Sequence, residues 1–194
     1  MVDIIAVTYG QNEILKCFIN SIRAQTSNNW RLVIIHDGPN PTLHEELKND
    51  GYLNSTQIEF IEYPVRTKYY GHLLRKWSLE NVVKNEYVLL TNGDNYYTPN
   101  MIEEVTKRSE DLIYFDLVHS HKTPHNSNNA TYGYMNSELV SSRVDMGNVV
   151  IKSELAKKVG FNSTDFAADW IYFNEVLELS PTIHKIDKVL FVHN

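Results

Sequence analysis

With 194 residues, 42% of them hydrophobic and 22% charged, the chain is long enough for a sizeable core and ordinary in composition for a soluble globular fold. Eighteen Lys and Arg against 24 Asp and Glu, a net charge of −6, exclude the broad basic face of a general nucleic-acid binder but not a small phosphate-bearing ligand. One cysteine, Cys17, excludes an intrachain disulfide, and its place in an apolar stripe assigns it to packing. No apolar run approaches the ~20 residues of a membrane span, and Met-Val-Asp-Ile-Ile-Ala-Val lacks both a basic n-region and a long apolar h-region. A soluble, cytoplasmic protein with no integral membrane segment is expected, at most peripheral to a membrane.

Residues 3 to 9, Asp-Ile-Ile-Ala-Val-Thr-Tyr, have the composition of a buried strand, and Gly10 turns the chain into a helix with Ile14, Leu15, Phe18, Ile19 and Ile22 at helical spacing. Trp30 to His36 reads as a second strand, stopped by Asp37-Gly38-Pro39-Asn40. Thr42-Leu-His-Glu45 has the form of a capping box opening a short helix. Gln57 to Tyr63 alternates as a third strand, and Tyr69 to Lys84 is mostly helical, with Leu73, Leu74, Trp77 and Val82-Val83 on the buried side. Tyr87-Val88-Leu89-Leu90 is an apolar run suited to a strand covered on both faces. It ends in the polar tip Asn92-Gly93-Asp94-Asn95, followed by Thr98-Pro99, an N-cap and first-turn proline for a helix from Asn100 to Arg108.

This alternation predicts an α/β fold with a mostly parallel central sheet flanked by helices and right-handed crossovers. Strands one, two and four then deliver Thr8-Tyr9-Gly10, Asp37-Gly38 and Asn92-Gly93-Asp94 to one carboxyl edge, where open α/β sheets bind ligands. A carboxylate beside a glycine at such a tip suits a hard divalent cation shared with phosphate oxygens. Three such tips at one edge favour a nucleotide site over three independent turns.

After Ser109 the rhythm changes. Leu112 to Val118 reads as a strand and His121 to Ser137 as a loop over the site. Arg143 to Ile151 reads as a strand broken at Gly147, and Ser153 caps a short helix to Val159. Ala167-Ala168-Asp169-Trp170 opens a helix, and Ile186 to Val192 is a last strand before His193-Asn194. His119, His121 and His125 invite a zinc reading, but without a cysteine partner they read better as strand-end polar residues near an acceptor. Tyr96, Tyr97 and Trp170 suit either sugar stacking or the core.

In order, Ala-Val-Thr-Tyr-Gly-Gln-Asn-Glu, Asp37, Asn92-Gly93-Asp94, Asp145-Met-Gly-Asn-Val-Val and Ala168-Asp169-Trp170 resemble the inverting glycosyltransferases of family 2, with the GT-A fold, over nearly the whole chain. The resemblance implies one domain over 1–194, with a nucleotide-binding half to about residue 108 and an acceptor and catalytic half after it. It implies a nucleotide-sugar donor, typically a UDP-sugar, a glycan or glycoprotein acceptor, and Mn²⁺ or Mg²⁺ on the diphosphate. Thr8, Tyr9 and Gly10 would line base and ribose, and Asp37 would read the base. Asn92-Gly93-Asp94 would stand for the Asp-x-Asp motif, with Asp94 on the metal and the amide of Asn92 replacing a carboxylate. Asp169 would be the general base, and His193 would complete metal or diphosphate binding. Trp170 would wall the acceptor, and the longer acceptor-binding tail of many relatives would be missing.

Lys68, His72 and Arg75, at the start of the helix after strand three, face either the diphosphate or solvent. A Rossmann dehydrogenase is excluded by the missing Gly-x-Gly-x-x-Gly after the first strand. A sugar-nucleotide pyrophosphorylase would need a glycine-rich first loop, where only Gly10 stands. A degenerate, non-catalytic sugar-nucleotide binder remains the alternative.

Overall fold

A computed structural model describes residues 1–10, 12–120 and 132–194. Among these residues nine strands form one mixed sheet in the order β3-β2-β1-β4-β8-β6-β9-β5, with β7 added to β6. They are β1 (Val2–Thr8), β2 (Trp30–His36), β3 (Ile58–Glu62), β4 (Tyr87–Asn92), β5 (Tyr96–Tyr97), β6 (Leu112–Ser120), β7 (Tyr132–Met135), β8 (Val149–Lys152) and β9 (Ile183–His193). The expected parallel sheet holds over β3-β2-β1-β4. Beyond it β8 runs antiparallel to both β4 and β6, while β6 and β9 are parallel to each other.

Among the described residues six α-helices cover the sheet: α1 (Asn12–Arg23), α2 (Pro41–Asn49), α3 (His72–Asn81), α4 (Met101–Thr106), α5 (Ser153–Val159) and α6 (Ala168–Glu178). Every residue of β1 is buried, because it meets helices on both faces. Ile4 and Ala6 join Leu15 and Phe18 of α1, Leu43 of α2 and Met101 of α4 in one apolar cluster. Ile5 and Val7 join Leu74 of α3, Ala156 of α5 and Phe173 of α6 in the other. Period-2 side-chain alternation therefore builds a helix–sheet–helix sandwich from one strand.

Several boundaries differ from the sequence reading. Asn40, not Thr42, caps α2: its side chain accepts from the Leu43 N–H at 3.1 Å, with Pro41 as the first helical residue. Thr98 and Pro99 lie outside α4, whose cap is Asn100. The helix expected from Tyr69 starts only at His72, because Lys68, Tyr69 and Tyr70 have φ of 63°, 47° and 56° and lead through a tight 3-10 turn. Leu73 is exposed. The strand expected over Arg143 to Ile151 is a turn around Met146–Asn148 followed by β8. Tyr132–Met135, expected within a loop, is a strand; residues 121–131, with His121 and His125, lie outside the described residues. Cys17 is exposed on α1, so its packing role is not borne out.

Candidate active site

Registers place Thr8 beside His36 and Val7 beside Asn92, so β1, β2 and β4 end at one edge. The Asp37 N–H donates to the Thr8 carbonyl at 2.9 Å, and the Gly93 N–H to Val7 at 2.9 Å, carrying the pairing into the tips. Gly93 has no room for a side chain: a Cβ there would lie 3.0 Å from the Thr8 Cβ and 2.9 Å from Leu15. A cleft of about 450 Å³ opens above this edge, lined by Thr8, Tyr9, Asp37, Lys68, Asn92 and Asp94 among others. Tyr9 is 49% exposed, with the Arg66 guanidinium 3.7 Å from its ring centroid. Gly10, next to it, is exposed in open space.

The carboxylate of Asp37 is largely occupied within the protein. It accepts from the Thr67 N–H at 2.6 Å, the Thr67 hydroxyl at 2.8 Å and the Lys68 N–H at 2.9 Å. A carboxylate offers about four lone-pair directions, so one remains for a ligand. Asp37 thereby anchors the left-handed segment 68–70 that walls the cleft.

Beneath that wall His72 and Arg75 are buried, so neither is a solvated surface charge. Arg75 is 2% exposed; it donates through Nη1 to the Tyr70 carbonyl at 2.8 Å and to His72 Nδ1 at 3.2 Å, and through Nη2 to the Asn92 side-chain oxygen. Burial, then the Arg75 charge, push the His72 pKa down to about 4, so the ring is neutral near pH 7. Burial also lowers the pKa of Arg75, while the charges of Asp169, Asp145 and Asp94 hold it up. One buried cation thus stands among three carboxylates. The amide of Asn92 adds no charge there and serves as an acceptor for Arg75.

The second half of the chain supplies the other side. Because β6 and β9 run with β1, His119 and His193 end at the same edge, paired in register with rings stacked 4.3 Å apart. The β5–β9 pairing brings the last residues to the Asn92–Asn95 turn, where the Asn194 N–H lies 3.4 Å from the Asn95 side-chain oxygen. His193 Nε2 lies 3.4 Å from Asp145 Oδ2, and Asp145 Oδ1 accepts from the Gly147 N–H at 2.8 Å. Asp169 sits in the first turn of α6, but Ala167 holds the cap position, so Asp169 is not an N-cap carboxylate. It retains some solvent contact although closely surrounded. Burial raises its pKa to about 6; Arg75 opposes that rise, Asp145 adds to it, and the Met146 N–H opposes it.

Residues 3–168 match the family model described as glycosyl transferase family 2. The chain belongs to that family. An uncharacterized glycosyltransferase of Methanocaldococcus jannaschii is 26% identical over 121 residues, 62% of this chain and 41% of that protein. S. aureus TarS, solved as residues 1–349, superposes on all of this chain with a TM-score of 0.75 at 15% identity, over 60% of that structure. A structure of the same protein with UDP-GlcNAc gives 0.73 at 17% identity, over 98% of this chain and 57% of that one. A mannosyltransferase from Pyrobaculum calidifontis, solved with GDP-Man and Mn²⁺, gives 0.67 at 15% identity over 99% of this chain and 56% of that one. This family 2 chain therefore has the fold of these glycosyltransferases and spans less than two thirds of their lengths.

Within that fold the site residues named from sequence divide in two. Thr8, Tyr9, Asp37, Lys68, Asn92 and Asp94 line the cleft, while His72 and Arg75 support it from below. Asp169 and His193 meet the same site through Arg75 and Asp145. Trp170 is partly buried against the apolar cluster under α6, and Tyr97 is buried with its hydroxyl bound to Thr91 and the Gly147 carbonyl, so Tyr97 belongs to the core. Asp145 and Arg66 were not named as site residues. Asp145 carried a signal, since it opens the Asp-Met-Gly-Asn motif, but nothing in the sequence says that β8 is antiparallel and starts at the carboxyl edge.

Proposed function

We propose that this chain carries out metal-dependent inverting glycosyl transfer from a nucleotide diphosphate sugar, with UDP as the nucleotide, to a hydroxyl of a glycan or glycoprotein. The observation that carries the reading is the pairing of a cleft lined by Asp37 and Asp94 with a third carboxyl, Asp169, whose pKa is raised to about 6 beside the buried Arg75. Family membership and neighbours solved with UDP-GlcNAc and GDP-Man support the same reaction class. On this reading residues 1–108 hold the donor and residues 109–194 supply the base and acceptor side.

The chemistry follows from the groups present. A base with a pKa near 6 is mostly deprotonated at pH 7 yet basic enough to take a proton. Asp169 takes the proton of the acceptor hydroxyl as that oxygen attacks the anomeric carbon from the side opposite the diphosphate. The bond from that carbon to the diphosphate oxygen breaks in the same step, and UDP leaves with the electron pair. Lys68, exposed on the cleft wall, lends positive charge to the departing diphosphate.

A divalent cation fits the residues present when donor oxygens complete its shell. His193 Nδ1 is buried without a hydrogen-bond partner, and Asp94 supplies a carboxylate. Among the described residues no three His, Cys, Asp or Glu side chains enclose an ion by themselves. Bound there by Asp94 and His193, Mn²⁺ or Mg²⁺ would neutralise charge on the leaving group.

The test is release of nucleoside diphosphate from a panel of UDP- and GDP-sugars with simple glycosides as acceptors. Asp169→Asn should keep donor affinity while turnover falls by about 10²–10⁴-fold. A fall of less than tenfold would remove Asp169 as the base. Donor binding without turnover by the unaltered protein would leave a nucleotide-sugar binding domain.

A further inference from the structure

Phe166 is the most exposed large apolar side chain among the described residues, at 86%, and the core does not account for it. It lies three residues before Asp169, in the turn that leads into α6, where the Ala168 N–H donates to the Asp165 carbonyl at 3.0 Å and fixes the backbone. Its ring meets one other, that of Tyr70, with centroids 5.8 Å apart and planes at 77°. Tyr70 is itself 67% exposed and lines the cleft.

Tyr70 is held in place at a cost. A tyrosine at φ 56°, ψ 20° is in the left-handed region, which non-glycine residues avoid. The Arg75 hydrogen bond to its carbonyl keeps it there. The two rings meet edge to face as an apolar corner on backbone that these hydrogen bonds hold. One wall comes from the loop over the cleft and the other from the turn before the candidate base.

We infer that the Phe166–Tyr70 corner is the acceptor platform, taking the C–H face of a pyranose ring so that one of its hydroxyls reaches Asp169. This deepens the transferase reading and rests on it. Tyr70 lines the cleft and Phe166 lies three residues before Asp169, so a molecule reaching from the cleft toward Asp169 passes this corner. The two rings, at 77° to each other, present adjoining apolar surfaces of the kind that stack on a sugar ring. The remaining sugar hydroxyls face solvent and the carboxyl, which suits a carbohydrate better than a wholly apolar ligand. A net charge of −6 works against an anionic membrane surface as the occupant.

The experiment titrates methyl β-glycosides of glucose, galactose, mannose and N-acetylglucosamine into the UDP-loaded protein, by saturation-transfer NMR and calorimetry. At least one should bind. Phe166→Ala should weaken that binding by about tenfold and Phe166→Trp should restore it, with UDP affinity changed by less than about twofold. Phe166 is exposed, so its replacement leaves the fold intact, and a thermal melt of each variant checks this. If no glycoside binds the UDP-loaded protein, or if Phe166→Ala binds equally well, the platform is refuted while the donor site stands. Binding of phosphatidylglycerol vesicles that is lost in Phe166→Ala, with glycoside binding unchanged, would assign the corner to a membrane and also refute it. Failure of UDP itself to bind would instead overturn the function on which the inference rests.

Discussion

Replacing Arg75 with methionine probes the centre of the site, because that side chain is the buried cation among Asp94, Asp145 and Asp169. Methionine keeps much of the length and packing of the stem but removes the hydrogen bonds to the Tyr70 carbonyl and to Asn92. Exchanging a whole buried ion cluster for apolar groups is often neutral, but here the carboxylates remain. Removing one partner of a buried charged set costs about 3–5 kcal/mol. The outcome also depends on pH, and the sign follows from Asp169. Its folded pKa is raised to about 6 from an ordinary 3.8, so ionising it opposes folding, and stability present at low pH is lost as pH rises through 6. Arg75 opposes that rise, so without it the folded pKa climbs higher and the loss deepens. Urea unfolding of the unaltered protein and the variant between pH 5 and pH 8 should show a deficit that widens with pH. A deficit that does not change with pH, or none, would refute the counter-ion role.

Other consequences are simpler to read. Asp37→Ala should weaken UDP by about 1–3 kcal/mol in calorimetry and also loosen segment 67–70, seen as faster amide exchange at Thr67 and Lys68, since it removes three hydrogen bonds there. Weakened UDP with unchanged exchange would mean that Asp37 acts on the ligand alone. A Cβ at Gly147 would meet the Phe191 ring at 2.5 Å and the Tyr97 hydroxyl at 3.0 Å, so Gly147→Ala should cost about 1–3 kcal/mol in urea melts; an unchanged midpoint would show that the turn has slack. The rate of transfer, kcat/KM, should rise with pH along a limb centred near 6, where Asp169 loses its proton, and Asp169→Asn should abolish that limb.

Much of the cleft at the carboxyl edge was legible in the sequence because short-range signals govern it. Apolar runs ended by Asp37-Gly38 and Asn92-Gly93-Asp94 mark strand tips, and parallel pairing brings such tips together with no further information. The buried partnership of Arg75 with Asn92 was not legible, since lysines and arginines at a helix start usually face water. The reversal of direction at β8 was also hidden, because a four-residue apolar strand carries no sign of its orientation. That reversal carries Asp145 to the site, so Asp145 went unread although its motif was noticed. Trp170, read as either a sugar-stacking or a core residue, packs partly buried against the core, while the exposure of Phe166 had no signal in the sequence.

The central claim is a nucleotide diphosphate site at the carboxyl edge, built on Asp94 and completed by a divalent cation. Calorimetry of UDP against the unaltered protein and Asp94→Ala, each with and without Mn²⁺, tests it most directly. UDP should bind the unaltered protein more tightly when Mn²⁺ is present, and Asp94→Ala should keep the metal-independent part while losing the increment. UDP binding that is absent, or an increment that survives in Asp94→Ala, would contradict the site described here.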